Sequence, residues 1–261
     1  MAKASNTGNG EIIIFEQTRG KMEFCVLGTT PLIHNRMSQK VLQELLFPKG
    51  RKNAAEKATT MKHNPMEEFR NSPYIINDDK ANTLISLLPT GFKGTMMTAA
   101  LDMPGVARTQ IKKHVYVEGQ HIEIYGIPQV MCAVTRSADI NRTPDVRTRA
   151  IMPEWACRLT IEFTMPLLKD QSVANLLAAG GMVSGVGDWR QEKGSGNFGC
   201  FKLVSADDPD FVRITKTMGR KAQIKALEKP EYYDEETEEL LSWFEAETKR
   251  RGFKVYDRVA A

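Results

Sequence analysis

Between residues 21 and 27, apolar and polar side chains alternate one for one: Met22, Phe24 and Val26 against Lys21, Glu23 and Cys25. A period of two is the mark of a strand with one face buried. EIIIF (11–15) reads as a strand before it, and the middle of the chain repeats the signal in HVYVEG, HIEIYG and QVMCAVTR. WACRLTIEFTM (155–165) is the longest clean alternation, and TLISLL (83–88) and CFKLV (200–204) complete the set. Helical spacing appears in RMSQKVLQELLF (36–47) and in GFKGTMMTAALDM (91–103), which Pro104-Gly105 closes. LKDQSVANLLAAGG (168–181) predicts an amphipathic helix with a glycine stop.

These elements mix without regular β-α-β alternation, which favours an α+β sheet packed against helices over a doubly wound parallel sheet. The expected partition is a frayed tail over 1–10, a core over 11–205 and a helical C-terminal appendage over 206–261. Two insertions interrupt the core. One is the basic stretch at 48–72, broken by Pro48, Gly50 and Pro65, and the other spans 104–150.

Composition narrows the class. Among 261 residues, 41% are hydrophobic and 26% charged, the balance of a folded globular protein. A net charge of +4 permits a nucleic-acid partner without demanding one. Cys25, Cys132, Cys157 and Cys200 are scattered, with no C-x-x-C pair, so neither a disulfide framework nor a zinc site is expected. No apolar run reaches the ~20 residues that span a bilayer. The start, MAKASNTGNGE, lacks the apolar core of a signal peptide, and a cytoplasmic setting with no membrane partner is the expectation.

The stretch GVGDWRQEKGSGNFG (185–199) holds five glycines. A helix precedes it and a strand follows, the reverse of a dinucleotide fingerprint, and no G-x4-G-K-[ST] occurs. Trp189 and Phe198 argue against a plain solvated linker. An ordered contact loop fits better: Gly185, Gly187, Gly194 and Gly196 would let backbone N–H groups approach a ligand. Arg190 and Lys193 would add charge, and Trp189 and Phe198 stacking faces.

Three segments then line up with a known superfamily. LPTGFKGTMMTAA (88–100) resembles the P-G-S-S-hydrophobic-K-G segment of the RAMP proteins, the repeat-associated proteins of CRISPR effector complexes. The loop at 185–196 is similar to that superfamily's glycine-rich loop, and VLGTTPLIHN (26–35) to its first strand and turn. Thr90-Gly91-Phe92 departs from the small hydroxyl residues usual there. The resemblance implies a ferredoxin-like (RRM-like) core that binds single-stranded RNA, most like subunits that polymerise along a guide. The compact size points to a phage or mobile-element relative.

Candidate contacts follow. Lys93 opposes the positive end of its helix dipole, which fits a nearby phosphate, although a solvated lysine is the plain alternative. Arg136, Arg142, Arg147 and Arg149 surround one polar loop, as phosphate contacts or as members of a salt-bridged loop with Asp139 and Asp145. Arg36, Lys40, Lys49, Arg51 and Lys52 have Glu44 as the sole acid among them, a basic footprint or a solvated surface. His34 is a candidate general base only if the protein is a metal-independent endoribonuclease. The acidic helix over 232–245 would use Leu240, Leu241, Trp243 and Phe244 to pack on the body or to dock a neighbouring copy.

The expectation is therefore a non-catalytic binder of single-stranded nucleic acid, RNA favoured over DNA, without metal or cofactor. It would act as a homo-oligomer or a ribonucleoprotein subunit. The endoribonuclease and a decoy subunit that interferes with a host RNA-guided complex are the alternatives.

Overall fold

The computed structural model describes residues 16–47, 61, 63–136, 144–192 and 196–253; the side chains of Lys40 and Arg136 lie outside that description. The expected strand at 11–15 lies outside it as well. The architecture is α+β, with an open, mostly antiparallel sheet and, among the described residues, eight helices.

The long alternation predicted at 21–27 is the middle of β1 (Thr18–Gly28), and the one at 155–165 is β9 (Trp155–Met165). They pair antiparallel over ten residues, with Val26 opposite Cys157, Phe24 opposite Leu159 and Met22 opposite Ile161. Register puts these six residues on one face, and that face becomes the core. β10 (Phe201–Val204) pairs with the other edge of β1. Beyond β9 lie β6 (Ile122–Gly126), β4 (Ile85–Leu87) and β3 (Tyr74–Ile75), giving the order β10-β1-β9-β6-β4-β3, with β5 (Val115–Val117) also on β9.

Three helices contribute to the core on that face. α3 (Pro89–Ala99) lays down Phe92, Met96 and Ala99, the short α4 (Arg108–His114) adds Ile111, and α5 (Asp170–Val183) adds Val173, Leu176 and Leu177. Each large apolar side chain buried this way contributes roughly 1.5–3 kcal/mol. The expected glycine stop at 180–181 is not a stop. α5 runs through both glycines to Val183 because they are points of close approach: a Cβ on Gly180 would come within 2.7 Å of the Thr95 methyl. A glycine that ends a helix and one that admits a neighbour look the same in sequence.

A second sheet, β2 (Leu32–Ile33), β8 (Pro144–Met152) and β7 (Gln129–Arg136), leans against the first. Its core includes a residue from the expected 48–72 insertion: α2 (Pro65–Asn71) buries Phe69 completely against Val130, Ala150 and Leu241.

The C-terminal helices join the body at several points. α6 (Pro209–Thr217) seats Phe211 and Ile214 on Leu27 and Ala156, the reverse face of the main sheet. α7 (Arg220–Glu228) places Gln223, fully buried, at the ends of the paired strands β4 and β6. Its amide oxygen accepts from the backbone of Leu84 and Ile85 at 2.8 and 3.0 Å, and its nitrogen donates to Ile124 and Gly126 at 2.7 and 3.1 Å. α8 (Glu235–Arg250) starts on an Asp234 cap and packs Leu241 into the second sheet. The first helix, α1 (Gln39–Leu46), has no buried residue among those whose side chains are described. No helix among the described residues is long and apolar enough to cross a membrane.

Candidate nucleic-acid interface

The polar segment expected as an arginine loop is in part a strand. β8 carries Arg147 and Arg149 two residues apart, so both project from one face. The alternation of Val146, Thr148 and Ala150 with the arginines was the available signal. Arg142 lies outside the described residues, as does the side chain of Arg136.

Arg147 and Arg149 line a cleft of about 430 Å³ at the edge of β8, and Arg36, arriving from the end of β2, lines it too. Arg36 stands 5.7 Å from the centroid of the Tyr74 ring. Glu68 and Asp145 supply the cleft's acidic side. Between them sits His63, with Nδ1 2.8 Å from Glu68 and Nε2 3.0 Å from Asp145. A ring facing a carboxylate at each nitrogen can donate to both only as the imidazolium. Arg147 completes the row at 2.9 Å from Asp145. His63 thus clasps α2 to β8; 82 residues separate it from Asp145, and no local pattern announces such a pair.

Arg149 joins the cleft to the glycine loop through an ion pair with Asp188. Burial, and after it the neighbouring charge of Arg147, pulls the Arg149 guanidinium below its ordinary range. The loop itself bends at Gly185, Gly187 and Gly199, whose φ values are +69°, +83° and +73°, and Trp189 follows at 52°. The glycines do allow close approach, but the approaching groups belong to this chain. A Cβ on Gly187 would lie 2.6 Å from the Ile33 carbonyl oxygen, and Gly185 and Gly196 abut Gly199 and Trp189.

Several backbone donors of the loop are spent within the chain, that of Gly185 on the Gly180 carbonyl at 3.0 Å among them. The N–H of Val186 bonds to Gly199, Asp188 to Ile33, and Gly199 to Pro31, at 2.9, 3.0 and 2.8 Å. Trp189 and Phe198 stack on each other, centroids 6.2 Å apart and 16° from parallel, half-buried over Ile33, Met131 and Ile151. Their inner faces are anchored to the second sheet, so only outer faces remain for a ligand.

Arg190 reaches Glu192 at 3.1 Å and the Gly187 carbonyl at 3.3 Å. Burial pushes the Glu192 carboxyl up, but hydrogen bonds from Thr98 and Ser184 and the charge of Arg190 outweigh it and hold the group below its usual range. The Thr98 bond, with that of Thr95 to the Gly185 carbonyl at 2.6 Å, ties α3 to the loop. Lys93 lies on that same helix, partly exposed, and makes no ion pair among the described residues. The first turn of α3 has neither a side-chain cap nor an acid, and Gly91 and Gly94 leave open space where side chains would stand. Arg51, Lys52, Lys193 and Gly194 lie outside the described residues, and so does the side chain of Lys40.

His34 requires a correction. It is fully buried, neither ring nitrogen has a hydrogen-bond partner, and burial lowers its pKa to about 4. An enclosed neutral imidazole with no route to a substrate is a core residue, not a general base. Among the described residues no cluster of histidine, cysteine and carboxylate groups is suited to a metal ion. Comparison with protein-family models and with curated proteins returns no match.

Proposed function

We propose that this chain binds single-stranded nucleic acid without cleaving it, RNA in preference to DNA, in several copies along one strand. The observation that carries the reading is the convergence of Arg36, Arg147 and Arg149 on one cleft, joined by Asp188 to the glycine loop. A guanidinium has five donors. The contact to Asp188 uses one nitrogen of Arg149, leaving capacity for phosphate oxygens at the cleft. Phosphate contacts of this kind position a strand and carry little base information.

The topology is consistent with a ferredoxin-like core of the RAMP type. Taken in chain order, with other elements inserted between them, β1, α3, β6, β9, α5 and β10 read β-α-β-β-α-β, and the four strands stand in the order β10-β1-β9-β6. The segments that carry the resemblance also meet in space, through Thr95 and Gly185. Lys93 and the uncapped start of α3 extend the cationic track beside the loop.

Fluorescence anisotropy with labelled single-stranded RNA, single-stranded DNA and duplex tests the reading. Binding to RNA should be tightest and should weaken steeply with salt. Arg36→Glu, Arg147→Glu and Lys93→Glu should each reduce the slope of log K against log salt by about 0.7 per lost contact. Unchanged affinity in all three variants would overturn the assignment, and strand cleavage by the purified wild-type protein would overturn its non-catalytic part.

A further inference from the structure

The wall of the arginine cleft is tied together by an imidazole, the side chain whose charge ordinarily changes near neutral pH. His63 has Glu68 at 2.8 Å on Nδ1 and Asp145 at 3.0 Å on Nε2. Each carboxylate is also engaged through its second oxygen. The Thr148 N–H donates to Oε2 of Glu68 at 3.2 Å, and Arg147 stands 2.9 Å from Oδ2 of Asp145. The side chains of His63, Glu68 and Asp145 are 19%, 24% and 16% exposed, so a change of charge among them is poorly screened by water.

The two states of the ring make different clefts. As the imidazolium it donates to both carboxylates and shares the charge of Asp145 with Arg147. As the neutral ring it has one N–H, and the lone pair of its other nitrogen faces a carboxylate. If that carboxylate is Asp145, Arg147 is the cation left to answer it; if Glu68, its charge stands uncompensated on the cleft wall. Either tautomer leaves the wall poorer by one positive charge. The other charged groups of α2 and β8 are Glu67, which accepts from Asn64 at 3.1 Å, Arg70, whose Nε donates to the Leu227 carbonyl at 3.1 Å, and Arg149. Arg149 pairs with Asp188 and also feels the charge of Glu68. Arg36 reaches the same cleft from the end of β2.

We propose that His63 couples strand binding in this cleft to a proton: the imidazolium form takes the phosphates and the neutral ring releases them. With His63 charged, Asp145 keeps a partner and Arg147 is able to turn to a phosphate oxygen. When the proton leaves, Arg147 is held on Oδ2 of Asp145 and the field at the cleft becomes less positive. Affinity is therefore highest on the acid side of the ring's titration and falls as pH rises through it. On the alkaline side, binding draws one proton from solvent onto the ring. The coupling rests on the binding assignment above and names what regulates that site.

Anisotropy of the full chain with a labelled single-stranded RNA, at constant ionic strength from about pH 5.5 to 8.5, tests it. Wild-type affinity should fall on the order of tenfold across that range, the worth of one charge several ångströms away. His63→Gln should bind at the weaker level and His63→Lys at the tighter level, each without the pH dependence. A pH dependence that survives in both variants would overturn the proposal. Should circular dichroism show either variant misfolded, ring ¹⁵N shifts of the wild type read the same coupling. The titration midpoint of His63 should move to higher pH when the RNA is bound, and an unmoved midpoint overturns the proposal. RNA bound equally at every pH would sink the coupling alone, whereas no RNA binding at any pH would sink the binding assignment and the coupling with it.

Discussion

Arg149, on the central strand of the second sheet, forms an ion pair with Asp188 in the glycine loop. Their side chains are 17% and 22% exposed, so the pair is shielded from most solvent screening. The one contact therefore fixes the loop against the sheet and occupies part of a cation that a phosphate would use.

Asp188→Asn separates those roles. Loss of the charge leaves Arg149 short of a partner and should destabilise the fold by about 1–3 kcal/mol in urea unfolding. The same change frees the guanidinium, so single-stranded RNA should bind more tightly. Opposite signs in the two measurements are the expected outcome; weaker binding would mean that Asp188 organises the site and does not compete for it.

Glycine substitutions divide in a similar way. Gly187 has a positive φ and lies under the Ile33 carbonyl, so Gly187→Ala should lower the unfolding free energy by about 2 kcal/mol or more. Gly94 lies inside α3 with no neighbouring atom within 4 Å of the place a Cβ would take, and Gly94→Ala should raise stability by about 0.5–1 kcal/mol. If a strand crosses the start of α3, Gly94→Ala should still weaken RNA binding. Thermal melts and anisotropy on the two variants check both statements.

His34 gives the fold an acid sensitivity of known sign. Its pKa is about 4 in the folded protein against 6.5 unperturbed, so the unfolded chain takes up a proton first. Stability contributed by the neutral ring is intact above pH 6.5, falls as pH drops toward 4, and is lost below that. The whole change amounts to about 3 kcal/mol. Unfolding free energies of His34→Leu measured across this window should fall less steeply than those of the wild type. Equal slopes would show that another group titrates.

His63 acts through geometry. His63→Phe removes both carboxylate contacts and leaves Glu68 and Asp145 facing each other across the cleft. A loss of about 1–3 kcal/mol in chemical denaturation is expected. His63→Gln, which can still donate a hydrogen bond, should recover part of it.

Much of the main sheet is legible in the sequence because its signal is local. Met22, Phe24 and Val26 in β1 and the alternation of β9 state which face is buried, and the structure follows them. The residues that shape the cleft are harder to read. Arg147 and Arg149 stand in a polar stretch whose strand character depends on pairing with β7, and Glu68 and His63 come from a segment that reads as an excursion. The place of the glycine loop is plain, but the glycines' neighbours lie far off in sequence. Nothing in G-V-G indicates that Ile33 fills the space that Gly187 leaves.

The amide of Gln223 has a consequence for how the chain must be made. It supplies partners to backbone groups of β4 and β6, residues synthesised some hundred positions earlier. Until α7 leaves the ribosome, these groups, at the ends of two paired strands toward the β3 side of the sheet, lack the partners that the Gln223 amide supplies. Completion of this part of the sheet therefore waits for α7, and nascent chains that stop short of residue 223 should be substrates for holding chaperones rather than folded intermediates.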